Sequence, residues 1–339
     1  MMSEALITSL QLLAQKKNLP QEMAERLFQI ILNGGATPAQ IASILTGLAI
    51  KGETESEIIA AANVLRAKAT KFTAPAGSID TCGTGGDGHG TYNISTATAI
   101  VLASTGVPVA KHGNRSVSSK SGSADVLQAL GIKIDAEIPV LEKCMSELGI
   151  AFLMAPKFHP SMRHVSPVRQ ELGVRTIFNI LGPICNPAKP DFQLLGVYDK
   201  ALSEPLARVL KALGTKAAWV VHGHDKLDEL TLTGTSYVTE LKDGNITNFE
   251  LTPEDAGLPR ATLDELRGGD AETNAKALEQ CLSGMESAYK NAVLYNAGAG
   301  LVIAGKAANI KEGVNIARDA IDSGKSYRLL KQWAILSNS

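Results

Sequence analysis

The chain has no CxxC pair and no cluster of cysteines at metal-binding spacing. Its four cysteines, Cys82, Cys144, Cys185 and Cys281, stand far apart, which excludes a disulfide scaffold and points to isolated reduced thiols. No apolar run approaches the roughly 20 residues that span a bilayer. The first residues, MMSEALITSLQLLAQKK, carry neither the basic start nor the small-residue cleavage site of a secretory signal. The expected location is the cytoplasm. An excess of either charge is missing too: 33 Lys and Arg meet 34 Asp and Glu, whereas general nucleic-acid binding shows a basic surplus. There is no fixed-period repeat, no low-complexity linker and no GxxxxGK[ST] phosphate-loop pattern.

What is present divides by grammar. With 339 residues the chain can form two domains, or one large domain with a satellite. Residues 4–70 read as helix throughout. Leu6, Leu10 and Leu13 keep helical spacing, and Leu27, Ile30 and Ile31 continue it after Pro20. Gly34-Gly35 breaks that run, Thr37-Pro38 restarts one, and Thr54 with Glu57 forms a capping-box pattern. From Ile79 strands and helices alternate. Strands are predicted at 78–82, 107–111, 150–154, 193–198 and 217–222. Helices are predicted at 93–105, 122–130, 137–148, 200–213, 271–283, 286–304 and 310–322. Residues 229–250, with a turn at Asp243-Gly244, read as an antiparallel hairpin. The expected fold is therefore α/β: a small N-terminal all-helical domain over 1–72, then a larger domain over 73–339. In the latter a mostly parallel central sheet is covered by helices. Pro75 and Gly77 mark the expected hinge.

A local absence carries the most information. Between Asp87 and Asp125 there is no acidic residue, while Lys111, His112, Arg115 and Lys120 all fall there. Two loops of small residues, Gly83–Gly90 and Gly113–Ser123, each follow a strand and precede a helix. Such loops expose backbone N–H groups, and helix N-termini add partial positive charge, so both attract phosphate. Two of them imply a ligand with more than one phosphate group. The run from Gly83 to Gly88 formally satisfies GxGxxG. As a dinucleotide fingerprint it fails, because the helix opens only after Asn93-Ile94-Ser95-Thr96 and no acid stands near position 105 for a ribose. Asn93, Ser95 and Thr96 suit helix capping and anion binding together. Lys111-His112-Gly113-Asn114-Arg115 places cations at a strand C-terminus, where α/β folds bind ligands.

GTGGDG, NIST, KHGNRSVSSKSGSADVLQALG and VRTIFNILGPICNP together resemble the anthranilate phosphoribosyltransferases, a family of the nucleoside phosphorylase-like class. The resemblance runs over nearly the whole chain. It implies that Gly83, Gly86, Asp87, Thr91 and Asn93 through Thr96 line the site for 5-phosphoribosyl 1-pyrophosphate (PRPP). Lys111, His112, Gly113, Asn114 and Arg115 would begin the second phosphate loop. Ser116, Val117, Ser118, Ser119 and Ser123 would complete it. Gly83, His112 and Asn114 would also lie against the anthranilate acceptor. The same resemblance implies that residues of about 160–185 complete the helical domain.

Asp228-Glu229 follows the apolar strand AAWVVHG and the turn HDKL. Adjacent carboxylates on a turn are usually just solvated, but PRPP travels with magnesium, which takes hard oxygen ligands. The resemblance assigns metal binding to Asp228, Glu229 and Ser95, with two Mg²⁺ ions per site; Asp225 nearby ranks below them. In SMRHVSPVRQELG the resemblance implies that Arg169 is the acceptor-contacting arginine, a guanidinium suited to a carboxylate. His159, His164, His222 and His224 receive only packing or surface roles. Two departures from the family pattern, Ile184-Cys185 and Lys157-Phe158, touch no assigned role.

The implied reaction is transfer of phosphoribose from PRPP to the amine of anthranilate, catalysed by positioning and charge stabilisation and with domain closure. A dimer through the helical domain is expected, and so is a free-standing transferase without an amidotransferase segment. The competing readings are a pyrimidine-nucleoside phosphorylase, which carries a KHS-type sequence at the lysine loop, and a non-catalytic nucleic-acid-binding relative.

Overall fold

The computed structural model describes residues 4–86, 88–115 and 121–339. Four helices come first: α1 (Glu4–Ala14), α2 (Gln21–Leu32), α3 (Pro38–Lys51) and α4 (Glu55–Lys68). Their starts are written in the sequence. Thr37 accepts the Gln40 N–H, Gln40 accepts the Thr37 N–H in return, and Pro38 sits in the first turn where no N–H is needed. Thr54 and Glu57 form the same reciprocal cap on α4. The Glu57 carboxylate is fully buried and also takes the Leu19 N–H and the Lys51 ammonium. One side chain thus ties the α1–α2 connection and the end of α3 to the start of α4.

The second part is built on a seven-stranded sheet of order β3-β2-β1-β4-β5-β6-β7. Its strands are β1 (Ile79–Gly83), β2 (Val109–Gly113), β3 (Ile150–Met154), β4 (Phe192–Gly196), β5 (Ala217–Gly223), β6 (Ser236–Lys242) and β7 (Asn245–Leu251). The first five are parallel, as alternation with helices predicts. The last two form the expected hairpin. Asp243 and Gly244 both take positive φ (50° and 75°), the backbone a two-residue turn between twisted strands requires. The hairpin begins at Ser236 rather than 229. Thr231 and Thr233 instead donate their hydroxyls to Asp225, closing a tight turn ahead of the strand.

The remaining helices are α5 (Ile94–Ser104), α6 (Ser123–Ala129), α7 (Ile138–Leu148), α8 (Ala155–Phe158), α9 (Ser166–Leu172), α10 (Ile177–Ile184), α11 (Ser203–Ala212), α12 (Ala271–Leu282), α13 (Ala288–Ile303), α14 (Ile310–Asp322) and α15 (Lys325–Leu336). Helix α15 was not foreseen; it buries Leu329, Leu330 and Trp333 in the core that α5, α13 and α14 share. A second core is continuous from the first four helices to the other sheet face. It holds Leu27, Phe28 and Ile44 together with Leu195 and Val220, joined through α10 and α11. Residues 160–184 pack into this core through Val165, Val168, Ile177 and Leu181, and Phe178 meets Phe28 edge-on at 6.2 Å. Arg66 on α4 crosses the same junction. Its guanidinium donates to the Ile184 carbonyl at the end of α10 and to the Leu213 carbonyl beyond α11.

In this order β1 is the point where the chain's path through the sheet reverses. From β1 it runs to β2 and β3 on one side, then returns to β4 on the other. This switch point lies at the C-terminal ends of β1 and β4, the place where open α/β sheets form their ligand crevice.

Candidate functional site

Both strands at that crevice end in glycine, and the reason is Asp228. A Cβ on Gly83 would sit 2.9 Å from Asp228 Cγ, and one on Gly196 would overlap the Asp228 carbonyl and lie 3.1 Å from its Cα. The chain leaving β5 thus crosses directly over the ends of β1 and β4. Gly85 donates its N–H to Asp228 Oδ2 at 2.7 Å, Thr84 N–H bonds the Gly196 carbonyl, and Thr84 Oγ1 accepts the Tyr198 N–H at 3.1 Å. The glycine-rich loop and the acidic pair, 143 residues apart, form one unit. Glu229 is buried, and its charge is felt by the thiol of Cys82 and the phenol of Tyr289. Asp225 is occupied by Thr231, Thr233 and the Leu227 N–H, which hold its carboxyl below the usual range against the opposing effect of burial. It is a turn-forming residue.

The NIST segment opens α5, but Asn93 does not cap it. Its side chain bridges the Ser121 carbonyl and Asn274, while its own carbonyl takes the Tyr289 hydroxyl. Ile94 is buried in the core, so only its backbone can face a ligand. The Thr96 hydroxyl is buried with no partner. Thr91 forms a single bridge with Arg267, and Gly268 N–H bonds the Gly90 carbonyl. This stretch is therefore framed by 266–274, a contribution with no sequence signal beyond Gly268-Gly269.

Lys111, expected at the start of the second phosphate loop, is buried. It is 2% exposed, and its ammonium donates to the Thr81 carbonyl and, at 3.4 Å, to Ser95 Oγ. It lies on β2 beside β1, so its side chain runs under the start of α5. Asp80 lies beneath, fully buried, accepting the His112 N–H at 3.2 Å and the Asn186 side-chain amide at 2.8 Å. Burial raises its carboxyl to about 6, with Lys111 and Asn186 pulling the other way. Asp80 and Asn186 were missed; the available signal was a polar residue inside each of two apolar stretches.

His112 Nδ1 faces the Gly182 carbonyl at 3.2 Å and must carry the proton, which leaves Nε2 as a buried acceptor without a partner. Its ring meets His159 edge-on at 5.1 Å. Burial depresses His112 to about 3 and His159 to about 4, so both are neutral at pH 7. The expectation for His159 was a packing or surface role, and the spacing of 47 residues hid the pair. Gly113 and Asn114 continue outward from β2, with Ser123 Oγ donating to the Asn114 carbonyl at 3.3 Å. Arg115 turns along α6, paired with Asp125 at 2.8 Å and with Gln128. The acid that closes the acid-free interval is its partner. Asp87, Ser116, Val117, Ser118 and Ser119 lie outside the described residues.

Arg169 lies on α9. It is half-buried with Cζ 5.6 Å from the Phe178 ring, and burial lowers its basicity. Among the described residues no carboxylate pairs with it. Arg175, also missed, reaches the glycine loop: its guanidinium lies 3.8 Å over the Tyr198 ring and donates to the Gly86 carbonyl.

Two family models match the chain: a glycosyl transferase helical bundle domain over residues 8–69 and a glycosyl transferase a/b domain over 76–327. The anthranilate phosphoribosyltransferase of Azospirillum brasilense is 54% identical over 95% of this chain and 90% of its own. The chain belongs to the anthranilate phosphoribosyltransferase family. The Thermus thermophilus family member superposes with a TM-score of 0.92 at 41% identity, covering 98% of this chain and 99% of that one. The Saccharomyces cerevisiae enzyme, solved in complex with PRPP and Mg, has a TM-score of 0.90 at 29% identity, with 99% of both chains covered.

For an anthranilate phosphoribosyltransferase the side chains whose chemistry would suit Mg²⁺ are the acidic pair and the serine of NIST. Asp228, Glu229 and Ser95 offer hard oxygens, and two carboxylates with a hydroxyl leave room for waters and substrate phosphate. The described residues hold no cluster of three or more His, Cys, Asp and Glu side chains placed for a metal, and a Mg²⁺ carried by a phosphorylated substrate needs no such cage. The two departures from the family pattern are structural. Phe158, Ile184 and Cys185 are buried, and Lys157 bonds the Asp135 and Ala136 carbonyls.

Proposed function

We propose that this chain transfers the 5-phosphoribosyl group of PRPP to the amino nitrogen of anthranilate, forming N-(5-phosphoribosyl)anthranilate and pyrophosphate in tryptophan biosynthesis. The observation that carries this reading is Asp228 seated over the glycine ends of β1 and β4 with Gly85 N–H on its carboxylate. That arrangement joins the acidic pair to the glycine-rich loop at the ends of β1 and β4. Asp228, Glu229 and Ser95 would hold Mg²⁺, two ions per site, and the metal would supply positive charge beside the pyrophosphate leaving group. Gly83, Gly86, Asp87, Thr91 and the backbone of 93–96 cradle the donor. The second loop, from Gly113 through Ser119 to Ser123, takes its other phosphate. Lys111 supports Ser95 from below.

On the acceptor side Arg169 receives the anthranilate carboxylate, with Gly83 and Asn114 against the ring. His112, neutral with its acceptor nitrogen unused, takes a hydrogen bond from the amine. The aryl amine is neutral at pH 7, so no strong base is needed, and orientation supplies most of the catalysis. The helical domain spans 1–72 and is completed by 160–185, and it closes on the α/β domain once both substrates are bound. The protein works in the cytoplasm as a homodimer through the helical domain, where Ile7 and Ile50 are exposed on the packed helices α1 and α3. No described helix is long and apolar enough to cross a membrane.

The test is anthranilate fluorescence. Addition of PRPP with Mg²⁺ should extinguish it at a rate proportional to enzyme. An unchanged signal, with uridine or thymidine cleaved in phosphate buffer, would replace this reading with a nucleoside phosphorylase.

A further inference from the structure

Four contacts hold the Thr84–Gly86 part of the glycine loop. Thr84 N–H bonds Gly196, Thr84 Oγ1 accepts from Tyr198, and Gly85 N–H bonds Asp228. All three partners belong to the α/β part. The fourth is Arg175 on Gly86, and Arg175 comes from the Gly173–Thr176 connection between α9 and α10, whose helices pack into the helical core. Six residues earlier on the same segment stands Arg169.

Arg175 is an exposed arginine, and an exposed arginine is ordinarily free to wander. This one is placed by two groups at once: the flat guanidinium stacks on Tyr198 at 3.8 Å, and one nitrogen reaches the Gly86 carbonyl. Gly85 and Gly86 both have positive φ (68° and 77°), and a Cβ on Gly86 would lie 3.0 Å from Arg175 Nη2. The loop is shaped so that its backbone can be approached from this side. Among the described residues Arg175 forms no ion pair that would explain its position otherwise.

We propose that Arg175 is a positioning residue that fixes the glycine loop to the segment bearing Arg169, so that donor and acceptor sites share one frame. This rests on the reading of the loop as the PRPP cradle and Arg169 as the carboxylate anchor. Holding the Gly86 carbonyl fixes the course of the loop backbone just past the two residues that Gly196 and Asp228 tie down. Because the holding group travels with α9, donor binding and acceptor placement are coupled.

Initial rates give the test, with PRPP and anthranilate each varied for the wild type, R175A, R175K and Y198A. R175A is expected to raise the KM for PRPP roughly tenfold, the loss of one hydrogen bond from a charged donor. The KM for anthranilate should rise with it, and Tm should stay within about 2 °C because the side chain is exposed. R175K retains a cation that reaches the carbonyl and should recover most of the KM for PRPP. Y198A, which removes the stacking surface, should shift it in the same direction by a smaller factor. An active wild type with R175A within twofold in both KM values overturns the proposal. So does a loss in R175A that tracks a falling Tm and is not recovered in R175K. A wild type without turnover on PRPP and anthranilate overturns the functional reading and this proposal with it.

Discussion

At the scale of single residues the site is controlled by what has no side chain. Gly196 and Gly83 let the chain at Asp228 pass over two strand ends, and the two positions should fail differently. Gly196→Ala meets backbone, which cannot rotate away, so we expect loss of folding yield and a Tm lowered by several degrees in a thermal melt. Gly83→Ala meets the end of a side chain. There the carboxylate swings aside, the fold survives, and kcat/KM in the fluorescence assay should fall by about 10²–10³, the size of one lost charge-stabilising contact. A Gly83→Ala enzyme with full activity would remove Asp228 from the mechanism. These glycines were readable as a phosphate-type loop, but their partner was not. Nothing in a local pattern says that residue 228 returns to lie across residues 83 and 196.

At the scale of elements the question is what joins the helical bundle to the sheet. The linking residues after α4 are tied down, with Thr70 N–H on the Phe158 carbonyl and Gly77 N–H on Asp191 at 2.7 Å. Arg66 adds the stronger link. Its guanidinium, desolvated enough to lower its basicity, serves the C-terminal carbonyls of α10 and α11 with bonds of 2.6–3.1 Å. Cations suit helix C-termini because orphan carbonyls and the macrodipole concentrate negative charge there. Arg66→Ala should cost roughly 2–4 kcal/mol in urea unfolding, since it leaves two carbonyls unsatisfied and a charged hydrogen-bond donor gone. Arg66→Lys, with one nitrogen instead of three, should recover less than half of that. A loss below about 0.5 kcal/mol, the usual size for a surface change, would show the junction rests on packing alone. The sequence marked the caps of α3 and α4 because capping chemistry is local. It left Arg66 unmarked because its partners are backbone carbonyls 118 and 147 residues away.

At the scale of the whole molecule, buried ionisable groups give stability a pH dependence. His112 and His159, held near 3 and 4 by burial, remain neutral in the folded chain while their unfolded counterparts take up protons below about 6.5. Their contribution is lost as pH falls. Asp80 acts in the opposite sense: raised to about 6 by burial, it binds a proton in the folded state between about pH 6 and 4 that the unfolded chain does not. Two imidazoles against one carboxyl leave a net loss of roughly 1.4 kcal/mol per pH unit of acidification across that window. Urea unfolding at pH 6 and pH 5 measures it. Removing one titrating imidazole with His159→Gln should bring the dependence close to zero, and a slope unaltered in that variant would refute the assignment. Closure belongs to this scale too. Small-angle scattering with PRPP, Mg²⁺ and benzoate, which has the acceptor's carboxylate but no amine, should show a smaller radius of gyration than the free protein. An unchanged radius would argue for a site formed without movement.

By itself the sequence determined the helical start, the alternation of parallel strands with helices, the Asp243-Gly244 hairpin and the glycine-rich loop after β1. Each of these depends on local physics: spacing of apolar residues, reciprocal caps and positive φ. Only the tertiary structure decided that Lys111 lies beneath the site, that Arg115 is taken by Asp125, that His112 meets His159, and that Arg175 holds the glycine loop. Those outcomes depend on which strand ends lie side by side in the order β3-β2-β1-β4-β5, and strand order is set by burial summed over the whole sheet rather than by any one segment.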